Sequence, residues 1–186
     1  MQNFISPNFG SEKLESPTYE DLIDVFEDRM HNWFLLPAAR LLEMPCCQIA
    51  AVALLITYFE GIAIYLSGED SRKRSAEFFA NGLFRVFASP DEGKKSVADA
   101  IYEQARCGFV HDGTFRNRVS FSDVSSKPLF VTFPKKNGTL DFSQVESIVI
   151  NPFRFYSSLT TPGPLTDQTR YLSVTSLARY SGKPKM

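Results

Sequence analysis

From Cys46 to Leu66 the sequence is apolar around almost the whole circumference of a helix, with Glu60 the exception. A surface helix carries one apolar stripe, whereas a helix that is apolar all round is enclosed by other elements or by lipid. The uninterrupted part, Ile49 to Phe59, is eleven residues, short of the roughly 20 that cross a bilayer. Extending it would place Glu60 in hydrocarbon, which is costly. The run therefore predicts a helix at the centre of a bundle and no membrane partner. Glu60 then sets a condition, because a buried carboxylate needs a cation or hydrogen bonds, or stays protonated. Arg106, on a later helix, is a candidate partner.

The flanking segments supply the rest of a bundle. Residues 1 to 16 are polar and punctuated by Pro7 and Gly10, with Pro17 next, which predicts a flexible N-terminal arm. Thr18 with Asp21 three positions on opens an amphipathic helix over about 18–34, whose apolar residues Leu22, Ile23, Phe26, Met30 and Trp33 recur at helical spacing. His31 on that helix has nothing chemically suggestive beside it and reads as a surface or packing residue. Pro37 and Pro45 break the pattern, with a short helical turn between them. Gly68 is placed to cap the central helix, and Glu69-Asp70-Ser71 to start the next one. That helix carries Arg72, Lys73 and Arg74 on one turn, either a solvated face or a phosphate contact, and packs through Phe78, Phe79 and Leu83. Ser89-Pro90 reads as the start of the last long helix. Val97, Ile101, Tyr102 and Ala105 form its inward face, and it delivers Arg106 and His111 before Gly113.

Past Gly113 the period changes from helical to alternating. Residues 118–122, 128–133 and 145–150 read as strands, and Lys136-Asn137-Gly138-Thr139 is a hairpin signal. Asn151-Pro152 ends this part. Helices follow over Phe153 to Leu159 and Leu165 to Ala178, then a basic tail. The expected fold class is mainly α (α+β). A helical bundle over 17–115 is followed by a small antiparallel β-sheet and C-terminal helices over 116–180, with a tail at 181–186.

Composition narrows the chemistry. The 186 residues include 17 Phe and 7 Tyr, enough large apolar side chains to build a core without disulfides. A net charge of −1 and a pI near 6.1 exclude a global positive field for a long duplex, so any nucleic-acid contact is local. Cys46, Cys47 and Cys107 form no C-x-x-C pair, and with two histidines no zinc spacing exists. Adjacent Cys46 and Cys47 read as small buried residues. The start lacks a basic segment followed by an apolar run, so no secretion signal is expected. A reducing, cytoplasmic setting without cofactor or metal is the expectation.

The stretch Arg106-Cys107-Gly108-Phe109-Val110-His111 then stands out. Histidine titrates near neutrality, and arginine is a permanent cation shaped for phosphate oxygens. Such a pair could act on a phosphodiester, or be an arginine on a solvated face beside a helix-capping histidine. Five residues of α-helix turn the chain by about 500 degrees, leaving the two side chains about 140 degrees apart. They share a ligand only if the helix loosens near Gly108.

Tyr58-Phe59-Glu60-Gly61 on the apolar helix, Ile101-Tyr102-Glu103-Gln104-Ala105 on a later one, and Arg106 to Gly113 together resemble the HEPN superfamily, the higher eukaryotes and prokaryotes nucleotide-binding domain. Its hallmark is an arginine, four to six residues and a histidine ending a helix of an antiparallel four-helix bundle. The likeness covers about residues 18 to 115. It implies a HEPN-like bundle and, in many members, a metal-independent endoribonuclease: a toxin of a toxin-antitoxin pair, with an antitoxin protein as partner, or a phage-defence component. Arg106 and His111 would be the catalytic pair, Glu60 would orient the arginine, and the 2′-hydroxyl of RNA would attack phosphorus to leave a 2′,3′-cyclic phosphate. Arg72, Lys73, Arg74, Arg116 and Arg118 would bind substrate. One motif per chain implies a homodimer. Cys107 stands where many members carry a polar residue, and some branches are non-catalytic nucleotide-binding or dimerisation modules.

Overall fold

The computed structural model describes residues 4–87 and 92–160. Its order is β1 (Phe4–Ser6), β2 (Phe9–Gly10), α1 (Tyr19–Arg29), α2 (Leu36–Glu43), α3 (Gln48–Ser67), α4 (Ser75–Val86), α5 (Lys94–Ile101), β3 (Val119–Phe121), β4 (Leu129–Thr132), β5 (Lys135–Lys136), β6 (Thr139–Leu140), β7 (Ser147–Ile150) and α6 (Pro152–Thr160). The mainly helical α+β class is as expected.

The all-apolar run is the central element. α3 packs chiefly on α4 and also on α2 and α6. Val52, Leu55, Ile56 and Phe59 join Phe79, Leu83 and Ile101 in one core that continues through Ile148 and Ile150 of the sheet to Phe155. Phe59 sits among the Phe79, Phe87 and Phe155 rings at 5.7–5.9 Å between centroids, edge to face. At 20 residues α3 is long and apolar enough, by length and composition alone, to cross a bilayer, which corrects the expectation of a run too short to span. Gly68 ends it in the left-handed region, φ 67°, where glycine bears no Cβ penalty. The α3–α4 crossing is set by Gly82, since a Cβ there would lie 1.9 Å from the Phe59 carbonyl oxygen.

Several expectations are corrected. Residues 4–14 do not hang free: β1 and β2 form an antiparallel hairpin followed by a 3₁₀ turn at Ser11–Leu14. Arg29 Nε donates to the Ile5 carbonyl at 2.7 Å, Asn8 N donates to Asp28 at 2.9 Å, and Lys13 pairs with Asp21 and Asp24 at 2.9 and 3.0 Å. The capping box of Thr18 and Asp21 forms as read. The chain then stays helical through Pro37, because Met30–Leu35 widens into a π-helical turn in which the Leu36 N–H reaches the His31 carbonyl. That registers the missing proline N–H outside the regular ladder. Cys46 and Cys47 lie in the turn after Pro45 and before α3, and Cys46 is exposed at φ 62°. The sheet is mixed, not antiparallel: the order is β3-β7-β4, with β3 parallel and β4 antiparallel to β7. β7 takes the centre because Ile148 and Ile150, both fully buried, are its most apolar pair. The β5–β6 hairpin turns at Asn137 and Gly138, φ 53° and 84°, the two positive values that a type I′ turn requires. Buried Asn151 caps α6 through the Phe153 and Arg154 N–H groups and donates to the Asp123 and Ser125 carbonyls. The expected helix start at 89–90, the helix at 165–178 and the tail lie outside the described residues.

The N-terminal hairpin carries a pH dependence. The Lys13 ammonium, helped by Thr18, lowers Asp21 to about 2. Burial pushes Asp28 upward, but hydrogen bonding from the Asn8 backbone and side chain and from Asn32 outweighs it and holds the group at about 2. Both lie below the roughly 3.9 of a free aspartate, so the undocked chain binds more protons between those values. The stabilisation is complete above about pH 4 and disappears as pH falls through about 2. The Asn8 amide should lose hydrogen-exchange protection across that window while α3 keeps its own. Protection of Asn8 that persists to pH 2 would contradict this account.

Candidate functional site

The motif residues lie on the C-terminal continuation of α5. From Tyr102 to Asp112 the helix is π-helical, ending at Gly113 with φ 69°. π-helical turns are rare, are mostly a single turn, and are frequent at functional sites. Their i→i+5 hydrogen bonding stacks a residue over the one five positions earlier. That geometry sets backbone positions 106 and 111, separated by five, nearer to one face than a regular helix, which would hold them well apart. The loosening that the pair needs comes from the whole stretch and not from a break at Gly108. Gly108 has another task. A Cβ there would meet the Thr114 carbonyl at 2.9 Å and Arg116 Cγ at 3.0 Å, so its absence lets the chain fold back. The return is fixed by the Arg116 N–H on the Gln104 carbonyl at 2.9 Å.

Glu60 and Arg106 meet as the sequence requires. Glu60 Oε2 lies 3.2 Å from Arg106 Nη2, the side chains being 16 % and 25 % exposed. The second carboxylate oxygen accepts from Ser71 Oγ at 2.9 Å. The Arg106 guanidinium also stands over the Tyr102 ring, 5.4 Å from its centroid, a cation–π contact. Burial raises the Tyr102 hydroxyl above its usual range, opposed by Arg106, with the Cys107 thiol beside it adding to the rise. The His111 side chain is exposed and makes no hydrogen bond or ion pair among the described residues. The chain thus brings together an oriented guanidinium, its carboxylate and a phenol. The imidazole stands five residues on, open to solvent.

The other basic residues are dispersed. Arg72, Lys73 and Arg74 do not share a helical turn, which is a correction: α4 starts only at Ser75, and Lys73 sits at φ 58° in the preceding loop. Gly68 ends α3, and Ser71 turns back to Glu60 before a helix can restart. Arg72 pairs with Asp70 at 2.8 Å, and Arg74 with Glu69 at 3.1 Å and Glu77 at 2.7 Å. Arg116 packs beside Gly108 and pairs with Asp112 at 2.7 Å. Arg118 donates to the Val145 carbonyl at 2.8 Å. Among the described residues no three His, Cys, Asp or Glu side chains cluster to hold a metal ion.

Two site residues escape a reading of the sequence. Tyr102 carried a usable signal, since on a regular helix it lies one turn before Arg106. Ser71 carried none, because its role depends on a loop where acidic residues suggested a helix start.

The Glu60–Arg106 contact has a measurable consequence. Glu60→Ala leaves a mostly buried guanidinium without its anion, and we expect a loss of about 1–3 kcal/mol in urea unfolding. Glu60→Gln, which keeps an acceptor for Ser71 and Arg106, should lose less. Equal stability of Glu60→Ala and the parent would show that the pair is solvent-screened.

Comparison with family models, with curated protein sequences and with solved structures finds no match to this chain.

Proposed function

We propose that the chain is a HEPN-like endoribonuclease acting as a homodimer in the cytoplasm, with single-stranded RNA as substrate and a toxin or phage-defence role. The observation that supports this reading is the π-helical backbone, which sets positions 106 and 111 nearer to one face than a regular helix, together with the contact of Glu60 on the arginine. The 2′-oxygen attacks the adjacent phosphorus and a P–O bond forms as the P–O5′ bond breaks. The proton leaving the 2′-hydroxyl passes to a general base, and one is delivered to the departing 5′-oxygen by a general acid. His111 fills one of these roles and its copy in the second subunit the other. Arg106 meets the negative charge that grows on the phosphate oxygens.

A second reading, a non-catalytic nucleotide-binding or dimerisation module, is favoured by one observation. Cys107 follows the arginine and lies against Tyr102, so the neighbour of Arg106 offers a weak donor where a polar group would hold a phosphate.

The test compares an RNA with the same sequence in 2′-O-methyl form. The ribonuclease reading predicts that only the RNA is cut and that its 5′ fragments end in 2′,3′-cyclic phosphate. Cutting of both would exclude 2′-hydroxyl attack, and cutting of neither leaves the binding module.

A further inference from the structure

We infer that the cleft between the C-terminal half of α3 and α4 is a second oxyanion site, selective for a singly charged phosphodiester. The cleft has a volume of about 350 Å³, with Leu66 and Phe78 among its apolar lining and Arg74, Asn81, Arg85 and Glu69 among its polar lining. Arg74 is already neutralised by Glu69 and Glu77. Arg85 differs: its side chain is exposed and makes no ion pair or hydrogen bond among the described residues, and the Asn81 side-chain amide is likewise unengaged among them. The two are four residues apart on α4, so they project as neighbours on one helix face. Together they offer an uncompensated guanidinium fork and two amide N–H donors, the groups that grip phosphate oxygens. Glu69, on the same cleft, opposes a second negative charge. A monoanion is therefore favoured over a phosphate dianion.

The position suggests the source of that anion. On α3 the cleft is lined from Ala63 to Ser67, three and seven residues past Glu60, so it runs from about 5 to about 10 Å along the helix from the Glu60–Arg106 pair. Ser71 touches Glu60, and Glu69 and Arg74 from the same loop line the cleft. A single strand held at Arg106 could lay a later phosphodiester at Arg85. This source rests on the ribonuclease reading, whereas the site itself does not.

The experiment uses dimethyl phosphate and an uncleavable 2′-O-methyl oligouridine of about eight residues. Dimethyl phosphate should shift the Asn81 side-chain amide resonance saturably, and Arg85→Gln should abolish that shift. For the oligouridine, Arg85→Gln should lower affinity by about five- to tenfold and reduce the salt slope by about 0.7, one phosphate contact on a single strand. Arg85→Lys should keep the slope. Arg85 is exposed, so these variants should melt with the parent. A dimethyl phosphate response with an unchanged oligouridine slope assigns the site to small phosphodiesters. An Asn81 resonance indifferent to dimethyl phosphate, or a response equal in Arg85→Gln, overturns the site. The oligouridine has no free 2′-hydroxyl, so failure of the cleavage reading leaves this measurement intact.

Discussion

Gly82→Ala should destabilise the fold by about 3 kcal/mol, the upper end of what overpacking costs and far more than Gly61→Ala on the facing helix. The added carbon would stand 1.9 Å from the Phe59 carbonyl oxygen, 2.6 Å from its carbon and 2.9 Å from its Cα. All three are backbone atoms of the central helix, so no rotamer change relieves the overlap and α3 and α4 must separate. Phe59 and Phe79 pack edge to face at this crossing, and separation would open the core around them. Gly61 provides the control. It lies on α3, a Cβ there meets nothing within 4 Å, and alanine is the better helix former by about 1 kcal/mol. Urea unfolding with an unchanged m value should show Gly82→Ala losing stability and Gly61→Ala keeping or gaining it. Equal midpoints for the two variants would mean that α3 and α4 do not cross at Gly82.

The second large effect falls on activity. His111→Ala should slow RNA cleavage by about 10²–10⁴-fold, the scale of a lost general acid or base. Arg106→Ala should slow it by about 10²–10³-fold through the lost charge on the phosphate oxygens. The two differ in stability. His111 is exposed and unpartnered among the described residues, so its removal should change unfolding by less than about 0.5 kcal/mol. A fall in its activity therefore reports chemistry and not folding. Arg106→Ala also strands Glu60, so it should lose stability as well. Arg106→Lys should restore much of that stability and little of the activity, because an ammonium supplies a point charge and not a planar fork. Full activity in Arg106→Lys would assign Arg106 a structural role.

Legibility in the sequence followed the physics of each element. The apolar run, Gly68, the Thr18–Asp21 box and the Asn137-Gly138 turn depend on neighbours within a few residues, and all were readable. The Glu60–Arg106 contact spans 46 positions, yet it too was legible, since a carboxylate in an apolar helix demands a cation and few were placed to supply one. What could not be read depended on distant backbone. The N-terminal arm looked unstructured because each of its anchors, Arg29, Asp28 and Asp21, lies on a helix some way along the chain. The parallel β3–β7 pairing follows from burial of Ile148 and Ile150, whereas the alternating segments suggested an antiparallel sheet. The loop at 69–74 carried the acidic residues of a helix start, but Ser71 was drawn to Glu60 instead. The π-helical stretch has no residue signature, although the pair's spacing of five is the one such a helix aligns.

The central claim is that Arg106 and His111 act as one site on RNA. It is tested most directly by incubating the parent protein and the Arg106→Ala/His111→Ala double variant with the same single-stranded RNA in EDTA. The account predicts cleavage by the parent to 2′,3′-cyclic phosphate ends and none above background by the folded double variant. Equal cleavage by the two proteins would contradict it.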